Sequence, residues 1–459
     1  MEDKELWEHL LQNPSLCRIT QRLLLTNDVL VVNRGRGPSF QRKRSLITGE
    51  FHELTSNLYE VLPHMINLGH VKLSWTKNDQ GNLGGFRKFL DALVDIECRL
   101  KELDLLLKVP DSLLSRDTTQ LQRLQLSYIH NPSYIWSKLD LTTLQKLRLQ
   151  FQGPQPAILF CEVTYINSML SNAKSLTHLN LTIEHVASFV KILQSTWVNL
   201  ENLTIVLRDA SVSQLNNPSA LTNFLKRHPN LTTLSLPAFA YVTGFPPYMD
   251  ILPSLISLSY NSPIQVPLGQ VLSSPTLRRL RHLTIDKEDP SLFLNEDMCR
   301  ELTSLETCYI KGSLLVKYGN INQILTNLGT HIPTLQRICL PHITLPLKPN
   351  PGAPLEEVLF EALSLLQRFP NLTHLAGVPW AADFSGPRHD RLFQSLYRCH
   401  RLKYVISPSL EGGKPICVFR LTRESDNSVE RMLIEPVPEM AYRHCHPDTW
   451  GGFYQGMEC

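Results

Sequence analysis

One phrase recurs along the chain and constrains it more than any other feature: leucine, two residues, leucine, one residue, leucine, usually opened by Asn, Ser or Thr. It runs NLGHVKL at 67–73, RLKELDL at 99–105, QLQRLQL at 120–126, TLQKLRL at 143–149, SLTHLNL at 175–181, NLENLTI at 199–205 and NLTTLSL at 230–236. It continues as SLISLSY at 254–260, RLRHLTI at 279–285, SLETCYI at 304–310 and TLQRICL at 334–340, with more divergent copies NLTHLAG at 371–377 and RLKYVIS at 401–407. TQRLLL at 20–25 reads as a first copy that has lost its opening leucine. A single match is commonplace, but thirteen opening leucines from Leu68 to Leu402, most of them about 21 to 32 residues apart, form a repeat.

The physics of the phrase fixes a local structure. Its second and third leucines alternate with polar residues, which makes a short strand with one buried face. Helix-like stretches lie between copies: FRKFLDALVDIE at 86–97, ALTNFLKRH at 220–228, INQILTNLGTHI at 321–332, LEEVLFEALSLLQRF at 355–369 and DRLFQSLYR at 390–398. One strand and one helix have too little surface to bury their own leucines, so the units must stack. The expected fold is therefore an α/β solenoid, with a parallel sheet on the concave face and helices on the convex face.

The chain resembles the leucine-rich-repeat superfamily over roughly residues 15–410. Within it, the chain is most like the repeat region of fungal F-box proteins. There a segment such as ELWEHLLQNPSLCRITQRLLLTND at 5–28 opens an irregular array, and a short tail such as HPDTWGGFYQG at 446–456 closes it. The resemblance implies a horseshoe-shaped solenoid that binds protein without catalysis. It also implies the substrate-recognition part of an F-box-like ubiquitin-ligase receptor. The alternative is a free-standing scaffold with no role in ubiquitination. A Skp-type adaptor is an expected partner only if an F-box stands upstream. Residues 1–14 are too short to be one, so the chain as given is expected not to bind the adaptor.

The domain organisation follows: residues 1–14 as a capping helix, 15–410 as about thirteen or fourteen repeats, and 411–459 as a terminal cap. In the cap, ICVFRLTR at 416–423 and SVERMLIEP at 428–436 flank SDN, which reads as a turn. The Gly- and Arg-rich stretch 33–44, TKNDQGNLGG at 76–85 and the Pro-rich stretch 341–354 interrupt the rhythm as loops. The ninth position of the superfamily repeat usually carries Asn or Cys. Here it is Thr76, Lys108, Ile129, Gln152, Glu184 and Arg208, so irregular turns are expected.

The candidate site is the concave sheet surface, formed by the third and fifth residues of each copy, counted from its opening leucine as the first. Near the N-terminus these are His70, Lys72, Glu102, Asp104, Arg123, Gln125, Lys146 and Arg148. Further along come Asn202, Thr204, Thr233, Ser235, Ser257 and Ser259, and then His282, Thr284, Thr307, Tyr309, Arg337 and His374. A protein partner there would meet charges at one end and small polar groups beyond. The block expected to bind is His70, Lys72, Glu102, Asp104, Arg123, Gln125, Lys146, Arg148, Asn202, Thr233, Ser257, His282 and Tyr309.

Other chemistry is weakly signalled. The basic run Arg34, Arg36, Arg42, Lys43 and Arg44 reads as a solvated loop rather than a phosphate contact. His444, Cys445, His446 and Asp448 lack the spacing of a zinc site, and Asn78, Asp79, Gly81 and Asn82 lack the closing Glu of a calcium loop. No phosphate-loop, dinucleotide or hydrolase motif occurs, so no catalytic residue and no cofactor are assigned. Net charge is +3, with 19% charged residues, which argues against nucleic acid as the partner. The opening segment lacks a signal peptide's apolar run, and no stretch reaches the roughly 18 apolar residues of a membrane span. The ten scattered cysteines fit reduced thiols, so the expected location is cytoplasmic or nuclear, with no membrane. The NLT triplets at Asn180, Asn202, Asn230 and Asn371 then read as part of the repeat rather than as glycan acceptors.

Overall fold

A computed structural model describes residues 3–26, 58, 60–75, 92, 100–108, 141–152, 170–183, 186–207, 218–236, 251–260, 273–285, 295–310, 319–340, 361, 363–377, 395–407, 417–426 and 429–436. The chain divides into two compact units. The first comprises residues 1–200 with 205–212, and the second comprises 201–204 with 213–459.

The first unit opens with two short helices, α1 (Asp3–Gln12) and α2 (Pro14–Ile19). Five strands follow: β1 (Arg22–Thr26), β2 (His70–Trp75), β3 (Glu102–Lys108), β4 (Lys146–Gln152) and β5 (His178–Ile183). All pair in parallel and in chain order. β1 is the copy at 20–25 without its leucine, and it pairs Leu23 with Val71 like any other. β3 pairs directly with β4, from Glu102 against Lys146 to Lys108 against Gln152. Residues 120–126 lie outside the described residues, as do Arg123 and Gln125.

The second unit takes the opening of β6 (Asn202–Leu207) and continues through β7 (Thr233–Ser235), β8 (Ser257–Tyr260), β9 (His282–Ile285), β10 (Thr307–Ile310), β11 (Arg337–Cys339), β12 (His374–Ala376) and β13 (Tyr404–Ser407), all parallel. The parallel run then ends. β14 (Cys417–Asp426) runs antiparallel to β13, and β15 (Val429–Pro436) runs antiparallel to β14, which is the hairpin expected around SDN. Within each unit the parallel strands form an open sheet in chain order, the arrangement of an α/β solenoid.

The three leucine positions are the core. Opening residues Leu68, Leu100, Leu144, Leu176, Leu200, Leu231, Leu255, Leu280, Leu305, Leu335, Leu372 and Leu402 are all buried. So are the second positions, from Val71 and Leu103 to Leu375 and Val405, and the third positions Leu149, Leu181, Ile205, Leu236, Ile285, Ile310 and Leu340. The side chains of Leu73, Leu105 and Leu126 lie outside the described residues. Helices add the other half of the core. In the first unit α3 (Val186–Gln194) packs on β5 and buries Phe189, Ile192 and Leu193. In the second, α4 (Pro218–Arg227) buries Leu221, Phe224 and Leu225. α5 (Ser274–Arg279), α6 (Glu296–Glu301) and α7 (Gly319–His331) lie side by side. α7 buries Ile324, Leu325, Leu328 and the following Ile332, a stripe at helical spacing. Of the expected helices, 220–228 and 321–332 are present, short helical turns occur within 363–368 and at 395–397, and 86–97 lies outside the described residues apart from residue 92.

Backbone hydrogen bonds explain why the copies stack in one register. The carbonyl before each strand accepts two N–H groups from the next copy. Gln145 O takes Thr177 N at 2.8 Å and His178 N at 3.0 Å. In the second unit Glu201, Thr232, Ile256, Arg281, Glu306, Gln336 and Thr373 repeat this in an unbroken series. The polar residue that opens the phrase ties copies together as well. Asn67 donates to Arg18 O at 2.6 Å, Thr143 to Leu100 O at 3.1 Å, Thr334 to Leu305 O at 2.8 Å and Asn371 to Pro333 O at 2.8 Å. This is a physical reason for Asn, Ser or Thr before the first leucine: each satisfies a carbonyl of the preceding copy.

Candidate interaction surface

Alternation along each strand puts the third and fifth positions on the face opposite the leucines. The register then sorts them into rows that cross the strands.

In the first unit one row runs Arg22, His70, Glu102, Lys146, His178. Glu102 sits between a lysine and a histidine. Lys146 Nζ lies 2.7 Å from its Oε1, and His70 Nδ1 lies 3.0 Å from its Oε2 at an angle poorer than a hydrogen bond needs. Burial alone would push the Glu102 carboxyl up. The hydrogen bond and charge of Lys146, helped by His70, outweigh burial and hold it below the usual carboxylate range. The next row runs Lys72, Asp104, Arg148, Asn180, again with an acid between two bases. The side chains of Lys72 and Asp104 lie outside the described residues, whereas Arg148 is half-buried. Glu102 thus offsets the charge of Lys146 in the first row.

In the second unit one row runs Asn202, Thr233, Ser257, His282, Thr307, Arg337, His374, Tyr404. The adjacent row runs Thr204, Ser235, Ser259, Thr284, Tyr309, Cys339, Ala376, Ile406. The hydroxyl stretch is buried rather than displayed: Ser257 is 2% exposed, Thr307 3%, and Thr233 and Thr204 6% each. Side chains this short sit low between strands spaced about 4.8 Å apart, and taller neighbours shade them. Asn202, Ser235, His282, Tyr309, Arg337, His374 and Tyr404 are the half-buried groups of these rows that reach the surface. The pattern of charges did not reveal the role of Tyr404, whose ring stacks on His374 with centroids 4.9 Å apart.

His374 shows how the fold sets a protonation state. Thr373 Oγ1 donates its one proton to Gln336 O at 3.0 Å, so its contact of 2.8 Å with His374 Nδ1 makes the ring nitrogen the donor. His178 and Thr177 repeat the arrangement on Gln145 O. Burial, then Arg337 and Lys403, pull the His374 imidazole down from its ordinary 6.5 to about 4. The sign of the resulting pH effect follows directly. Between those values the unfolded ring binds a proton and the folded ring does not, so stability falls as pH drops. Over the full window this single group is worth up to about 3 kcal/mol. Urea unfolding at pH 7 and pH 4.5 should show a larger loss for the wild type than for His374→Gln. Equal losses in the two proteins would show that this ring does not carry the effect.

Among the described residues no group of three or more His, Cys, Asp or Glu could hold a metal ion, and no helix is long and apolar enough to cross a membrane. The segments with Arg34 to Arg44, Asn78 to Asn82 and His444 to Asp448 lie outside the described residues, as does the tail at 446–456. Cys17, Cys299, Cys308, Cys339 and Cys399 are buried thiols outside any disulfide, and burial pushes the Cys299 thiol up to about 12. Comparison with protein-family models gives no match, and comparison with curated proteins gives none.

Proposed function

We propose that the chain is a non-enzymatic recognition protein of leucine-rich-repeat type, which binds a protein partner on the strand face opposite its leucines. The observation that carries this reading is the row His70, Glu102, Lys146, in which half-buried polar and charged groups are held at fixed cross-strand positions. Groups already ordered lose little conformational entropy when a partner docks. The deeply buried thiols and the purely structural hydrogen bonds of the opening polar residues fit a scaffold for binding rather than for chemistry.

The narrower reading, substrate recognition for an F-box-like ubiquitin ligase, rests on the resemblance of residues 5–28 and 446–456 and on the irregular repeat. A scaffold without ubiquitination is the second reading. Affinity purification of the full chain from its native cells separates them. Cullin and its Skp-type adaptor among the retained proteins support the receptor, and their absence beside other specific partners supports the scaffold.

The binding surface itself is tested by charge reversal. Lys146→Glu with Arg148→Glu should weaken a purified partner at least tenfold while the circular dichroism spectrum stays unchanged. Because Lys146 pairs with Glu102, Arg148→Glu alone serves as a second variant that leaves this pair in place. Unchanged affinity in both variants, with the fold intact, would remove this face of the first unit from the reading.

A further inference from the structure

The charges of the two units are not handled alike. In the first, Glu102 stands between His70 and Lys146. In the second, the two outward rows from β6 to β13 contain no Asp or Glu at all. Arg337 is half-buried in the first of these rows, and its guanidinium has no ion pair or hydrogen bond among the described residues. The same holds for the ammonium of Lys403, which is exposed just before β13. Glu306, just before β10, is turned to Arg281 at 3.6 Å. His282 Nδ1 in the same row is buried without a hydrogen-bond partner. A guanidinium that is partly desolvated and unmatched is costly to keep, and a carboxylate is the group that matches its fork.

We propose that the sheet face of the second unit, centred on Arg337 and flanked by His282, His374, Tyr404 and Lys403, docks a carboxylate-rich segment of a partner protein. The proposal rests on the recognition reading above and names the chemistry of the partner. Arg337 takes one carboxylate in a bidentate contact. Lys403, just before the strand after next, attracts a second. His374 and Tyr404, stacked on each other, give the segment a flat aromatic floor. The field of Arg337 and Lys403 that disfavours a charged His374 is the field an acidic ligand would relieve.

The probe is a fluorescein-labelled peptide of eight glutamates, titrated with the full-length chain at low salt and read by fluorescence anisotropy. Saturable binding is expected, and Arg337→Gln should weaken it at least tenfold. Arg337→Lys should recover part of the loss, and Lys403→Gln should give a smaller one. Arg300→Gln, which removes an exposed arginine from α6 already paired with Glu296 and Asp297, should leave binding unchanged. Equal binding by wild type and Arg337→Gln would overturn the proposal, as would equal losses in Arg337→Gln and Arg300→Gln. Dependence on Arg337 for a labelled oligonucleotide but not for the glutamate peptide would overturn it in favour of a phosphate ligand. Failure here, with a partner still lost on reversal of Arg148, would reject the acidic segment and keep the recognition reading.

Discussion

Leu181→Ala is expected to destabilise the first unit by about 2 to 5 kcal/mol, the range for removing a fully buried leucine side chain. Leu181 is 0% exposed and sits in β5, in register with Leu149, which is 1% exposed. Its neighbours belong to a stack in which every copy depends on the next, so they have little freedom to close over the gap. Part of the cost is lost burial, and the rest is the cavity that remains. Ile19→Ala is the matched control. Ile19 is 72% exposed, and its truncation should change stability by less than about 0.5 kcal/mol. The measurement is urea unfolding of both variants followed by circular dichroism. A loss below about 1 kcal/mol for Leu181→Ala would contradict the tight leucine core described here.

The parallel strands were legible because the third and fifth positions of the phrase alternate with leucines, and a period of two has one meaning in a strand. Burial of the opening leucine, the strand of each described copy, the hairpin at 417–436 and helix α7 all follow from such local patterns. Two kinds of feature were not legible. The first is the pairing of strands: the phrase marks β3 and β4 as strands, but that Glu102 stands against Lys146, 44 residues on, is set by the register alone. The pattern states that a segment can be a strand and does not state which neighbour it meets. Short helices such as α5 and α6 are likewise too brief to show a period, and α6 is marked only by its cap, Asn295, whose side chain accepts from Asp297 N and Met298 N.

The second is chemistry that depends on pairs. That Glu102 serves both Lys146 and His70, while Arg337 meets no acid among the described residues, is a statement about register across strands tens of residues apart. The charges themselves were visible; their compensation was not. In the same way Ser257 and Thr307 looked like surface hydroxyls, because a polar residue in a strand usually faces water. Their burial depends on the taller neighbours that the fold sets beside them.

Gly377→Ala is expected to cost the most for the smallest change in composition. In the copy NLTHLAG, glycine occupies the place of the third leucine, and this departure looked like decay of the repeat. The structure shows a backbone requirement instead. Gly377 has φ of +89°, a region that side chains with a Cβ rarely adopt. Its N–H donates to Ile406 O at 3.2 Å, which holds the chain in that turn at the end of β12. A Cβ there would lie 1.9 Å from the carbonyl oxygen of Leu340 and 2.7 Å from its carbon. Leu340 is itself fixed by donating its N–H to Ala376 O at 2.9 Å, so its backbone has little room to retreat. The strained φ alone is worth about 1 to 3 kcal/mol, and displacement of Leu340 adds a comparable amount. The expected total is therefore about 3 kcal/mol or more, enough to unfold much of the second unit near its melting temperature. Thermal unfolding followed by circular dichroism, with hydrogen exchange to localise the damage, would test it. The amides of Leu340 and Gly377 should lose protection first, whereas those around Leu181 in the first unit should keep theirs. A variant that melts with the wild type would mean that β12 can end without a left-handed residue, and the glycine would then be decay after all.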